Sequence, residues 1–478
     1  MKRRSLTPMM LIFTYISIIF GTSLMVYLAG AFGVLLTGFM AIFIPSLWSG
    51  NAKFSLFLFL AVFMPLFPTN GFILWGRSLD WFDGLILIVG LWNGFHIFSN
   101  RMGGRWDLIL TSSSFFLSIL LILSITSPYP EISLREFVSY FVNFFLTYWI
   151  MDRLQAGELK IFLGALFSSS CIVGCVAIWQ KFNNFSFPST MDGEVTIRLG
   201  VPGTFEDSLV LSMYAGVMLI FIVMGWFRYK TTGFRILCVV ALCFNLLSLN
   251  LALSRNGIFI VGAACLFFLI LRFFSWIKNR RLAMKIPLVF MSLPIGTWIG
   301  IKLLPEDLYH RIVSAFYLFS GSNDPIILYN IRSTLGRFEN YKEAIKIFLE
   351  NPVDGIGLGL YPILTRFEDA DGFYTGLLAE TGLVGSLAFL FFAISVVIVI
   401  FRSLRVIWRQ TKTVDHDSHG QMLFYELFAG LCFAYFVTSF FEPLFKIQMM
   451  SFLFFFFLKL MSLEYGTRNL CDGRTTSD

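Results

Sequence analysis

The stretch Leu247–Gly262, LSLNLALSRNGIFIVG, decides the fold. Apolar runs flank it on both sides, Phe234–Leu253 before and Gly257–Trp276 after, and each has the ~20 residues a helix needs to cross about 30 Å of hydrocarbon. Only Ser254, Arg255 and Asn256 separate them, which leaves no room for a folded excursion. Two membrane-spanning helices must therefore turn back on each other, with the Arg255 guanidinium at or just inside the boundary. An ionisable group at that depth is costly and marks function by default; the alternative is a guanidinium that snorkels to lipid phosphates.

The rest of the chain repeats this pattern. Of 478 residues 57% are hydrophobic and 14% charged, with a mean hydropathy of +0.77, whereas soluble chains carry about a quarter charged residues. Apolar blocks fall near Met9–Gly30, Ala31–Trp48, Phe54–Thr69, Phe82–Phe98, Asp107–Thr126, Leu134–Met151, Lys160–Lys181 and Ser208–Phe227. After the two runs above come Ile286–Leu304, Phe373–Phe401, Leu423–Phe441 and Ile447–Leu463. The expected fold class is an all-α polytopic membrane protein with about 12–14 spans, in which residues 1–478 form one integral membrane domain. The block after the N-terminal MKRR is too long and too close to the next for a cleaved signal peptide and reads as retained. No internal repeat is evident, which weighs mildly against a transporter.

Short basic loops stay in the cytoplasm. Starting MKRR inside puts Ser99–Trp106, Asp152–Lys160, Arg228–Arg235, Lys278–Lys285 and Phe401–Lys412 on the same side, and each is rich in Lys or Arg. Both termini are then cytoplasmic, with residues 464–478 as a tail, and the outer loops include 182–207 and a large extracytoplasmic loop, 305–372. The formal charge of +7 lies mainly in this inner fringe, so no nucleic-acid partner is expected. The seven cysteines indicate neither a disulfide framework nor a metal site, and Cys171 and Cys175, one helical turn apart, read as packing residues.

Inside loop 305–372, Phe338, Tyr341, Ile345, Phe348 and Leu349 recur at helical spacing, with Lys342, Glu343, Lys346 and Glu350 mostly opposite. The pattern predicts an amphipathic helix between a Ser333/Thr334 start and an Asn351-Pro352 stop, lying on the membrane surface with its apolar face toward lipid or the bundle. Arg337 then falls in its first turn, where the helix dipole favours an anion. Arg198 is a third outward arginine. Three guanidiniums at one interface suit a diphosphate, which each can grip bidentately. Gly355, Gly357 and Gly359 are not a dinucleotide fingerprint; they read as a turn, with Gly357 kept as a backbone contact to phosphate or sugar.

Four ordered pieces resemble the O-antigen ligase and O-antigen polymerase (Wzy_C) superfamily: Arg198–Gly216 (RLGVPGTFEDSLVLSMYAG), LALSRNGIFIVG, Leu335–Gly359 (LGRFENYKEAIKIFLENPVDGIGLG) and Asp369–Leu390 (DADGFYTGLLAETGLVGSLAFL). The departures are Asp207-Ser208 for the usual Pro-Asn, Tyr341 for Trp, and Asp371-Gly372 where ligases have His-Asn. The resemblance implies a glycosyltransferase-C-like enzyme of the bacterial inner membrane that needs no cofactor or metal. It would transfer a glycan from undecaprenyl diphosphate, at the outer face, to a hydroxyl of another lipid-linked repeat unit. Donor, acceptor and membrane lipid are the implied partners, with room for a chain-length regulator. Arg255 and Arg337 would hold the diphosphate, with Arg198, Tyr374 and Gly357 as further binding candidates.

Asp371 is the first candidate for taking the acceptor's proton and Glu380, inside a span, the second. A structural Glu380, paired with an Arg or capping a break near Gly382, stands beside that reading. Glu442 and His310 rank lower. The Asp in place of His favours a polymerase of O-antigen, capsule or exopolysaccharide over an O-antigen ligase or protein O-oligosaccharyltransferase. A lipid-linked-glycan flippase is the alternative from another class.

Overall fold

The computed structural model describes residues 72–74, 77–79, 108–146, 159–183, 188–191, 194–197, 200–205, 207–278, 325–367, 370–410, 417–442, 444–447, 450–451, 453–455 and 458. The predicted spans Met9–Gly30, Ala31–Trp48, Phe54–Thr69, Phe82–Phe98 and Ile286–Leu304 lie outside these, as do Arg198, His310 and the 464–478 tail. In chain order come strands β1 (Phe72–Leu74) and β2 (Arg77–Leu79), helices α1 (Leu108–Thr126), α2 (Pro130–Phe141) and α3 (Leu159–Phe182), and strands β3 (Pro188–Met191) and β4 (Glu194–Ile197). Helices α4 (Ser208–Arg228), α5 (Thr232–Ala252), α6 (Arg255–Lys278), α7 (Pro325–Glu350), α8 (Phe373–Gln410) and α9 (Asp417–Thr438) follow.

Among the described residues six helices, α1, α3, α4, α5, α6 and α8, are long and apolar enough to cross a membrane. The chain is a multi-pass membrane protein whose membrane part is helical. Two antiparallel hairpins, β1–β2 and β3–β4, add short strands in connecting segments. The block predicted at Leu134–Met151 takes a different form: α2 gives way to a π-helical turn at Val142–Leu146. That turn places Phe144 among Phe116, Phe389, Phe392, Phe445 and Phe455, at ring-centroid distances of 5.2–6.3 Å. Such edge and tilted contacts lock the elements they join.

Helix α4 is the centre, apolar all round and buried over most of its length, as a helix enclosed by others must be. Helices α3, α5, α6 and α9 pack on it. Small residues allow the closest approach. A Cβ on Gly257 would stand 2.1 Å from the Ser212 carbonyl oxygen, and one on Gly216 would stand 2.5 Å from the Gly257 carbonyl oxygen. The α5–α6 turn is fastened there. Gly257 N–H donates to Ser212 Oγ at 2.9 Å, and that hydroxyl donates to the Ser254 carbonyl at 3.0 Å. Leu253 adopts a left-handed φ of 48° to make the turn, a conformation rare outside glycine.

Because α4 and α5 run antiparallel, as do α5 and α6, the start of α4, the end of α5 and Arg255 share one end of the bundle. The basic loop Arg228–Arg235 lies at the other.

Gly257→Ala is expected to lower stability by about 1–3 kcal/mol through the clash with Ser212. Gly262→Ala, with nothing within 4 Å of its new methyl, should be neutral or stabilising by up to about 1 kcal/mol. Thermal unfolding of the purified variants in detergent distinguishes the two.

Candidate functional site

The glycine stretch forms main-chain bonds with a break in α8. Gly382, at φ 60° and ψ −157°, interrupts that helix. The chain from Pro352 to Gly357 then satisfies the groups the break exposes. Ile356 N–H donates to the Ala379 carbonyl (3.1 Å) and Gly357 N–H to the Glu380 carbonyl (2.9 Å). In return Leu383 and Val384 N–H donate to the Pro352 and Val353 carbonyls, at 2.9 and 3.1 Å. A Cβ on Gly355 would meet Glu380 main chain at 2.4 Å, and one on Gly357 would meet Ser127 Oγ at 2.3 Å. The Gly357 amide is therefore engaged with the Glu380 carbonyl, and the segment that carries it docks α7 to α8.

Helix α7 departs from expectation at its start. It begins at Pro325, so Ser333 and Thr334 lie within it and Arg337 sits near its middle rather than in a first turn. The dipole argument fails for Arg337 but holds for Arg255, the first residue of α6. The face that α7 turns to the protein is Asn340, Ala344 and Ile347, while Leu335, Phe338, Ile345 and Leu349 are exposed. Among the described residues, none covers those four side chains, while Tyr341 and Phe348 are half-buried.

Around Arg337 four segments converge. Arg337 Nη2 lies 2.9 Å from Glu442 Oε1. Asn256 of α6 donates to the same oxygen at 2.8 Å. Arg337 Nη1 stands 3.5 Å from the Phe441 carbonyl, and the Tyr341 hydroxyl donates to the Phe440 carbonyl at 3.2 Å. Asp371, just before α8, accepts from Asn340 Nδ2 at 3.2 Å. The Tyr361 hydroxyl donates to Asn340 Oδ1, which fixes the amide so that its nitrogen faces Asp371. Gly372, at φ 91°, brings this corner against the turn after α9: a Cβ there would meet the Phe440 carbonyl oxygen at 2.3 Å, and Phe373 N–H donates to the Ser439 carbonyl at 2.8 Å.

The charges perturb one another. Burial pushes the Glu442 carboxyl above the usual range, opposed by Arg337 and Asn256. Burial disfavours the Arg337 charge, but Glu442 and then Asp371 outweigh it and hold its pKa above the ordinary value. Tyr341 is pushed up to about 12, chiefly by burial and then by Asp371. Arg337, Asp371 and Glu442 therefore form one electrostatic unit, and Arg255 is the chain neighbour of the Asn256 that joins it.

The other candidates lie differently. The Tyr374 hydroxyl donates to the Phe436 carbonyl at 2.8 Å and its ring packs on Phe440 at 4.5 Å, so it braces α8 against α9. Glu380 is fully buried at the break, with Lys446 Nζ 3.7 Å from its Oε2 and 4.0 Å from Glu136 Oε1. The structural reading of Glu380 gains here, with a lysine in place of the arginine. No group of three or more metal-ligating side chains occurs among the described residues.

Sequence reasoning ranked Glu442 low and passed over Asn256, Asn340, Lys446 and Glu136. The available signal for Glu442 was a lone carboxylate beside Pro443, between two apolar blocks.

Arg337→Ala alone should lower stability by about 3–5 kcal/mol, because it strands a buried carboxylate. The double variant Arg337→Gln with Glu442→Gln should lose clearly less in the same thermal measurement. Comparison with models of known families and with curated proteins returns no match to this chain.

Proposed function

We propose that the chain is a membrane glycosyltransferase that polymerises lipid-linked glycan repeats, with the site above as its catalytic centre. One observation carries the reading. Two arginine-bearing elements, the start of α6 and the middle of α7, are joined through Asn256, Glu442 and Arg337 at one end of the bundle, with Asp371 in the same charge cluster. Around them Phe259, Phe338, Phe440 and Phe441 are exposed, and Phe259 and Phe441 touch edge to face at 5.5 Å. An apolar rim beside guanidiniums suits a ligand with a hydrocarbon tail and a phosphate head. The basic fringe lies at the opposite end, which supports an extracytoplasmic site.

In the proposed reaction the bond from the anomeric carbon to the diphosphate oxygen breaks as the acceptor hydroxyl oxygen bonds to that carbon. Charge grows on the leaving diphosphate, where Arg255 and Arg337 stabilise it; preorganised cations of this kind usually supply the largest catalytic contribution. Asp371 takes the acceptor's proton and later releases it to water. Its hydrogen bond from Asn340 fixes the carboxylate's position. The products are a lengthened glycan on one carrier and a free polyprenyl diphosphate.

The test supplies the purified full-length protein with undecaprenyl-diphosphate-linked repeat units and resolves the products by size. Arg255→Gln, Asp371→Asn and the Arg337→Gln/Glu442→Gln pair should each reduce chain extension by about a hundredfold or more. Unchanged long chains from any of the arginine variants would overturn the reading.

A further inference from the structure

Arg337 is already occupied. Its partner is not a solvent ion but a carboxylate of the same chain, and the way the two meet bears on how an anion could bind there. Glu442 Oε1 lies 2.9 Å from Arg337 Nη2, and Asn256 donates to that same oxygen, so the one carboxylate oxygen serves two donors. A guanidinium has five N–H donors arranged as a fork. Glu442 therefore uses only part of it, and a phosphate that presents two oxygens offers a stronger, bidentate grip. The exposures differ in the same sense, with the Arg337 side chain 30% exposed and Glu442 only 7%. The cation reaches the surface while its counter-ion sits behind it.

Should Arg337 turn to another anion, Glu442 loses its cation and keeps the hydrogen bond from Asn256, so the incoming anion must outweigh the cost of leaving that buried carboxylate without its arginine. A multiply charged anion at Arg337 would also face two carboxylates, Glu442 and Asp371, across a short distance. Glu442 is the better placed of the two to give way, because burial already favours its neutral form.

We propose that Glu442 is a built-in competitor for Arg337, a counter-ion that holds the guanidinium in place between turnovers and is displaced by an incoming diphosphate. The inference rests on the reading of Arg337 as the diphosphate-holding residue. It makes Glu442 a positioning and gating residue. Singly charged anions, which cannot match both the charge and the fork, are turned away, whereas a diphosphate displaces the carboxylate.

The experiment measures binding of inorganic pyrophosphate to the purified full-length protein in detergent, by calorimetry, for the wild type and two variants. Glu442→Gln keeps an acceptor for Asn256 but removes the competing charge, and should bind pyrophosphate at least about fivefold more tightly. Glu442→Asp draws the carboxylate back from Arg337 and should fall between the two, which keeps the test alive if the glutamine variant fails to fold. A residue with a merely structural role would lower affinity or leave it unchanged. Affinity that is equal or weaker in the folded variants overturns the proposal. If polymer forms from lipid-linked repeats all the same, only the competitor role is lost. Tighter binding by the variants, with no polymer from the wild type, keeps the competitor role and removes the glycosyltransferase reading. No binding by any form, the Arg337-intact wild type included, overturns both.

Discussion

A helix broken inside an apolar bundle must find partners for the main-chain groups it exposes, because hydrocarbon offers none. In α8 the break falls at Gly382, and the partners are the amides and carbonyls of the segment from Pro352 to Gly357. Those four reciprocal bonds join the end of α7 to the first turns of α8. The position of Arg337 and Asn340 on one helix is thereby set against that of Asp371 at the head of the other. Glycine is required at both sides of the junction: Gly355 and Gly382 have positive φ, and each would drive a Cβ into the opposite main chain at 2.4 Å.

The spans were legible because length and apolarity are local properties. Asp107–Thr126, Lys160–Lys181 and Ser208–Phe227 match α1, α3 and α4 to within one or two residues. Near the site, local reading lost its power in two ways. Ser333 and Thr334 resemble a helix start, but the helix runs through them from Pro325, a residue suited to the first helical position. The apolar positions of α7 were visible as a pattern, yet periodicity says nothing about which neighbour a face meets. Among the described residues Asn340, Ala344 and Ile347 are buried and Tyr341 and Phe348 half-buried, while Leu335, Phe338, Ile345 and Leu349 are exposed.

Glu442 shows why the candidate site was only half legible. Its partners, Asn256 and Arg337, are separated from it by 186 and 105 or so residues, and no spacing rule links positions so far apart. A lone carboxylate at the end of an apolar block looks the same in sequence whether it is solvated or held by a buried arginine. Asp371 could be picked out only because the piece Asp369–Leu390 resembles the motif in which ligases carry a His at that position. The network that orients it, from Tyr361 through Asn340, exists only once α7 is docked.

The buried charges of the described bundle fall into three groups, and their separation assigns their work. Arg272 pairs with Glu426 between α6 and α9, towards the end opposite Arg255, and joins those helices. Lys446 stands between Glu380 and Glu136, beneath the α8 break. There Glu380, without exposure, answers to the lysine and lends its own carbonyl to Gly357. Asp371 and Arg337, by contrast, are partly exposed, and their charges are felt by each other, by Tyr341 and by Glu442. Proton transfer from an acceptor hydroxyl needs a carboxylate that the hydroxyl can reach and a cation close enough to stabilise what departs. Of the two carboxylates first favoured for that role, Glu380 has a cation 3.7 Å away but no exposure through which a hydroxyl could reach it, whereas Asp371 is partly exposed and shares its charge cluster with Arg337.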